Sequence, residues 1–234
     1  MSTKRSFEMF DRRLYIISPP GILHPSQVPF GVPFDYASGF YEETYNPTQG
    51  TGFIAADGLG RGIGFWPPGQ PGDSVVAQQL FSIEPTANLR SLFAARFLLD
   101  HPADTDALIG MWGTESDPFG SGNSLNIADG LLFYNVAATF FGELYAICIS
   151  QGSASDPIFL FETSEATYYD VALILHPDSV AEFLTLTPDA QWVSTLEIEH
   201  VPTVAMRPSF AARRSAALGG LVIRSSHTQE QIIP

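Results

Sequence analysis

The sequence predicts an all-β fold, an antiparallel β-sandwich of the jelly-roll kind, and three observations predict it. Apolar residues alternate at period two in several runs, turn residues separate those runs at short spacing, and no run of about twelve residues carries a helical period. At 234 residues the chain has room for one large all-β domain or two small ones, and for a substantial core without staples. A hydrophobic content of 45% excludes wholesale disorder.

Residues 1–34 stand apart. Met1 to Arg13 is charged and mixed, and 18–34 holds five prolines. Proline fixes φ and removes a donor, so this stretch is read as an extended arm that needs a partner for Phe30, Val32 and Phe34. Residues 35–226 form the predicted sandwich, and 227–234 a C-terminal tail. Within the sandwich, 35–66 is rich in glycine and aromatics, and Pro67 to Asp73 is a loop. Strands are expected at 75–83, 91–99, 107–113, 130–136, 143–150, 157–162, 168–175, 180–187, 191–199, 205–211 and 216–225. In 168–175, Tyr169, Val171, Leu173 and Leu175 share one face. In 191–199, Trp192, Ser194, Leu196 and Ile198 face one way, which predicts one buried face there. The 91–99 strand is apolar on both faces, so both must be covered, by the partner sheet, the arm or a neighbour. Turns fall at Asp100-His101-Pro102, Ser116 to Gly120, Pro177-Asp178 and Pro188-Asp189. Residues 102–109 allow one short helical turn. About ten to twelve short strands over some 190 residues are the pattern of a sandwich or jelly roll.

Charge is segregated. Between Arg96 and Arg207 there is no Lys or Arg, while that stretch carries sixteen Asp and Glu. Lys4, Arg5, Arg12 and Arg13 lie at the start; Arg207, Arg213, Arg214 and Arg224 lie near the end. A net charge of −14 predicts no binding to nucleic acid or anionic membrane, with the basic arm as the one place where that could fail. No apolar run approaches the roughly 20 residues of a membrane-spanning helix, and residues 1–13 lack the apolar core of a signal peptide, so a cytoplasmic origin is expected. Cys148 stands alone in an apolar run and is read as a buried free thiol.

The chemistry-bearing residues are sparse. Glu197-Ile198-Glu199 puts two carboxylates on one strand face, about 6.5–7 Å apart at the backbone, with Val at 201 and no third acid following. They are read as a solvated polar face. Asp104, Asp106, Asp117, Asn123, Asn126 and Asp129 lie in or beside loops but without the spacing of a calcium loop. His24, His101, His176, His200 and His227 are scattered, with no zinc spacing. No nucleophile elbow occurs, and Gly58 to Gly64 lacks the Lys-Ser/Thr of a phosphate loop and reads as a bulge or tight crossing. Trp66, Trp112 and Trp192 are assigned to core or interface, with sugar stacking as the alternative. These readings predict no enzyme and no cofactor.

The segments Leu92 to Leu99, Ala103 to Gly110, Asp129 to Tyr134 and Tyr168 to Arg214, including Thr195-Leu196-Glu197 and Val201 to Ala211, resemble tailed-bacteriophage virion proteins with a concanavalin-A-like jelly roll. The resemblance covers roughly 89–226. It departs from that group at Pro188-Asp189, where Asp-Gly is usual, and in the added N-terminal arm. It implies a capsid decoration or cement protein on the outer surface of a phage head, with the major capsid protein as partner and a dimer or trimer as its state. Extended arms suit that task, and ten of the eleven basic residues are Arg, the better cation at a desolvated interface. The expected capsid contacts are Lys4, Arg5, Arg12, Arg13, Phe30, Phe34, Arg213 and Arg214. The rival expectations are a glycan-binding module on the virion surface, with an exposed Trp or Tyr platform beside Asp and Asn, and, third, a glycoside hydrolase.

Overall fold

A computed structural model describes residues 41–46, 53–56, 63–67, 72–79, 82–86, 88–113, 117–120, 124–135, 137, 142–186, 192–215 and 219–232. Within them the strands are β1 (Tyr41–Asn46), β2 (Phe53–Ala56), β3 (Ile63–Trp66), β4 (Ser74–Gln79), β5 (Leu89–Leu99), β6 (Thr105–Trp112), β7 (Gly130–Asn135), β8 (Glu143–Ser150), β9 (Ser153–Ala154), β10 (Ile158–Glu162), β11 (Tyr169–Leu175), β12 (Ala181–Leu186), β13 (Trp192–Glu197), β14 (Arg207–Arg214) and β15 (Leu221–Ile232). All described pairings are antiparallel. The first sheet runs β1-β4-β14-β6-β7-β8-β10, with β9 on β8; the second runs β13-β12-β11-β5-β15-β3-β2. This is the predicted two-sheet all-β sandwich.

The core lies between the sheets and follows the period of two. Phe93, Ala95, Phe97 and Leu99 of β5 face Phe210, Ile109, Phe133 and their neighbours from the first sheet. Phe133 meets Phe183 edge-on at 5.3 Å, and Phe210 lies 5.7 Å from Phe93 and 5.9 Å from Phe65. Val171, Leu173 and Leu175 enter the core together, as their alternation requires. Each fully buried aromatic of this kind contributes on the order of 2–3 kcal/mol by leaving water. The opposite side of β5 is also closed, with Leu92 and Ala94 packing beside Ala172, Ile174, Leu184 and Trp192. Cys148 sits in the main core and is fully buried, and burial, with the Glu197 charge nearby, pushes its thiol well above the ordinary range.

Three boundaries differ from expectation. The last strand runs from Leu221 to Ile232 and pairs with the full length of β5, so the division at 226/227 falls inside a strand and positions 227–232 are sheet, not tail. Pairing along an eleven-residue neighbour supplied the hydrogen bonds that the polar sequence Ser225 to Gln231 did not advertise. The helical turn is confined to Pro102–Asp104, and Thr105 already begins β6. The 191–199 run is a strand only to Glu197. It lies at the sheet edge, where Val193, Leu196 and Ile198 are all more than half exposed rather than buried on one side. The arm, Gly58 to Gly62 and the Pro188-Asp189 turn lie outside the described residues.

Candidate functional site

The outer face of the first sheet is as apolar as its inner face. Alternation sends Val76, Leu108, Trp112, Leu132, Tyr134, Tyr145, Ile147, Ile149 and Ala211 outward, and most of them are buried all the same. A strap made of residues 117–120 and 124–127 does much of the covering. Phe119, Leu125 and Ile127 pack down on this face, and Phe119 bridges Leu125 to close the strap on itself. Gly110 lies on the same outward parity, and a Cβ there would overlap the Leu131 carbonyl of the adjacent strand, so the close approach of β6 and β7 requires glycine.

One ion pair fastens the strap. Asp106 Oδ2 accepts from Arg213 Nε at 2.8 Å and Nη2 at 2.7 Å. Asp106 Oδ1 accepts from the Ala137 N–H, and Arg213 Nη1 donates to the Gly120 carbonyl. The guanidinium lies 4.8 Å over the Phe119 ring. Ser74 Oγ donates to Asp117 Oδ1, which also accepts from the Phe119 N–H. Arg213, expected at a capsid contact, is therefore committed inside the molecule, with its side chain 11% exposed. Arg214 is half-buried, and among the described residues its buried Nε has no hydrogen-bond partner. Lys4, Arg5, Arg12, Arg13, Phe30 and Phe34 lie outside the described residues.

Beyond the strap the face opens in a graded aromatic row across three adjacent strands. Tyr134 of β7 is buried, Tyr145 of β8 is half-buried, and Phe159 of β10 is 51% exposed. Neighbouring ring centres are 5.7 Å apart in both pairs. A β-bulge builds the end of the row. Phe159 pairs with Tyr145 but Phe161 pairs with Leu144, leaving Leu160 as the extra residue. Two phenylalanines that a regular strand would place on one side are thereby divided. Phe159 extends the outer row, while Phe161 stacks on Tyr169 at 4.8 Å against the core.

Carboxylates flank this row. Tyr145 donates its hydroxyl to Glu143 Oε2 at 2.7 Å; that bond, then burial, then the carboxylate charge push the phenol up to about 12. Burial and the neighbouring Tyr145 raise Tyr134 to about 12 as well. Glu162 lies directly opposite Glu143 across the β8–β10 pair. Like charges opposite one another on antiparallel strands repel, so this pairing costs stability unless a donor spans it. The row and its two glutamates thus form a stepped apolar ridge, its rings inclined 37° and 69° to one another, edged with hydrogen-bond acceptors. Neither the row nor the bulge was legible in 157–162, where every residue from Ile158 to Phe161 is apolar.

The other sequence candidates do not converge. Glu197 Oε1 accepts from the N–H groups of Ile198 and Glu199, which makes it the cap of its own turn. Asp129 holds the Gln151 N–H, and Asn126 donates to the Asp117 carbonyl. Asn123 lies outside the described residues. Among the described residues no group of three His, Cys, Asp or Glu could hold a metal ion. His176 and His101 are paired with Glu182 and Glu165, each at 2.9 Å. Trp112 is fully buried, and Trp66 and Trp192 are half-buried, so no described tryptophan supplies an exposed platform. An open hollow of about 440 Å³ lies between Ser150, Gln151, Ser153, Ser179, Ile198, His200 and Val201. Of the five described non-glycine residues at positive φ, three (Gln151, Ser179, His200) line it. It presents hydroxyls, an amide and an imidazole, and its lining holds no Phe, Tyr or Trp among the described residues.

No family model and no curated protein matches the sequence. Solved structures do match in fold. Peanut lectin with a nine-residue peptide aligns at TM-score 0.62 and 10% identity, over 86% of this chain and 96% of the lectin. The exoplasmic/lumenal domain of VIP36, bound to Ca2+ and Man3GlcNAc, aligns at TM-score 0.60 and 11% identity, over 86% and 88%. The carbohydrate-binding module CBM66 from Bacillus subtilis aligns at TM-score 0.50 and 11% identity, over 84% and 99%. At such identities the likeness establishes the lectin-like, concanavalin-A-like fold alone.

Proposed function

We propose that this chain is a non-catalytic carbohydrate-binding module, and that the Tyr134–Tyr145–Phe159 row with Glu143 and Glu162 is its binding face. The observation that carries the reading is the row itself, whose outermost ring, Phe159, faces solvent beside two carboxylates on a fold that lectins share. A sugar ring has an apolar face of C–H groups and a rim of hydroxyls. The exposed ring of Phe159 stacks on the first, and the carboxylates accept hydrogen bonds from the second. With no Lys or Arg between Arg96 and Arg207, the face favours neutral or amino-bearing saccharides over sialylated or uronic ones. Titration of neutral oligosaccharides by calorimetry tests this. Phe159→Ala should weaken binding at least about tenfold, the loss of one good contact. A wild-type chain that binds no neutral or amino-bearing glycan across an array defeats the reading.

A second reading is the capsid decoration protein, located on the outer surface of a phage head and bound to the major capsid protein. Its support is the sequence resemblance over 89–226 and the segregation of basic residues to the chain ends around an acidic body. Co-sedimentation with heads stripped of this protein, and a raised thermal midpoint of those heads, are the expected results. The two readings are compatible if the decoration protein also displays the sugar-binding face. With Arg213 consumed by Asp106, capsid contact would fall to the arm and to other exposed surface.

A further inference from the structure

Among the described residues β13 pairs with β12 alone and forms one edge of the second sheet. An edge strand presents a row of unpaired N–H and C=O groups, and natural proteins blunt such edges with Lys, Pro, a bulge or a cover. β13 has none of the first three. Its sequence is Trp-Val-Ser-Thr-Leu-Glu, and its register with β12 is unbroken over six residue pairs, from Ala181–Glu197 to Leu186–Trp192. It instead shows solvent Val193 at 51% and Leu196 at 57%, with Ile198 just beyond at 71%. Its ionised groups are Glu197 and, past the strand end, Glu199, and no Lys or Arg of the 97–206 stretch offsets them. An edge of unbroken register, apolar and acidic, fits an occupant that is extended, apolar and cationic.

The chain carries one segment of that chemistry outside the described sandwich. Arg12-Arg13-Leu14-Tyr15-Ile16-Ile17 has two adjacent cations, no acid, and three residues of high β propensity. It matches β13 in length and is ended by Ser18-Pro19-Pro20, since proline cannot donate to a ladder. The other Arg pair, Arg213-Arg214, is already within β14, paired on both sides. We infer that residues 12–17 of a second copy of this chain add to β13 as an outer strand. Two copies exchanging these segments reciprocally make a closed, symmetric dimer, in which the second contact forms at high effective concentration. Main-chain hydrogen bonds supply the affinity, and the arginines facing Glu197 and Glu199 set orientation and make it salt-sensitive. This association is independent of the sugar-binding reading.

Light scattering on the full chain over a range of concentrations gives the first test, with a dimer expected. Two variants then separate the partners. R12E/R13E breaks the segment and leaves β13 intact; Leu196→Lys does the reverse. Each alone should be monomeric or at least about tenfold weaker in association, and should share the parent's thermal midpoint at dilutions where the parent is itself dissociated, since association alone raises a midpoint. Mixed in equal amounts they should form a one-to-one complex through one intact contact, the segment of Leu196→Lys on β13 of R12E/R13E, weaker than the doubly linked parent dimer but stronger than either variant alone. If Leu196→Lys fails to fold, Val193→Lys takes its place. A monomeric wild type, or an associating wild type whose two variants do not complement each other, overturns the inference. Docking of the segment on its own chain would appear as a monomer whose midpoint falls in R12E/R13E, and that too overturns it.

Discussion

The outer face of the first sheet has two halves that differ in what holds them. Under the strap, Leu108, Trp112 and Ala211 are closed off by Phe119, Leu125 and Ile127, and a single buried ion pair bolts the cover down. At the β10 margin the same face continues as an aromatic row with no described cover, ending in Phe159 at 51% exposure. The pleat makes both halves apolar. Only one is sealed by its own chain, and the unsealed half carries the hydrogen-bonding carboxylates. Apolar surface left open beside polar groups marks a binding face more reliably than apolar surface alone.

The largest expected effect tests the sealed half. Arg213→Ala leaves Asp106 buried and unpaired and frees the Gly120 carbonyl, so a loss of about 3–5 kcal/mol is expected in urea denaturation. A loss below about 1 kcal/mol would mean the strap is held by its apolar contacts. Phe119→Ala removes the strap's main anchor while leaving the ion pair. About 3 kcal/mol is expected, at the low end for a buried Phe, together with increased fluorescence response of Trp112 to a soluble quencher.

Alkaline titration reads the open half through its two phenols and the core between the sheets through Cys148. Tyr134 and Tyr145 are raised to about 12, and Cys148 is raised as well. Groups raised on folding contribute stability that is complete below their unfolded values and lost as pH climbs through the folded ones. Stability should therefore be flat below about pH 9, then fall, first through the thiol and from about pH 10 through the phenols. Cys148→Ala should flatten the first part of that fall and leave the second. Glu143→Gln should bring the Tyr145 titration, followed by ultraviolet absorbance, back toward the ordinary value and leave Tyr134 raised by burial.

The smallest stability effect belongs to the open half. Phe159→Ala should change unfolding free energy by no more than about 0.5 kcal/mol, as for other exposed positions, while weakening sugar binding at least about tenfold. A cost of about 2 kcal/mol or more would place Phe159 with the sealed half and count against the binding face.

Much of the sandwich was legible in the sequence because its signals are local. Alternation in Tyr169, Val171, Leu173 and Leu175 requires only neighbouring residues, as do the turn at Pro177-Asp178 and the two-sided apolar run at 91–99. The burial of Cys148 followed from its apolar flanks. The sequence by itself thus determined most of the strands after residue 73, the inward faces of those that alternate most clearly, and the segregation of charge. Tertiary structure decided which outward faces were open. Asp106 and Arg213 meet across 107 positions, and nothing near either residue announces the other. The bulge at Leu160, which turns Phe159 outward and Phe161 inward, depends on register with β8. The exposure of β13 depends on its being last in a sheet, and the strand at 227–232 on the length of β5 beside it. Period is a property of consecutive residues, whereas cover, edge and register belong to segments far apart in the chain, and those set what the molecule presents to a ligand.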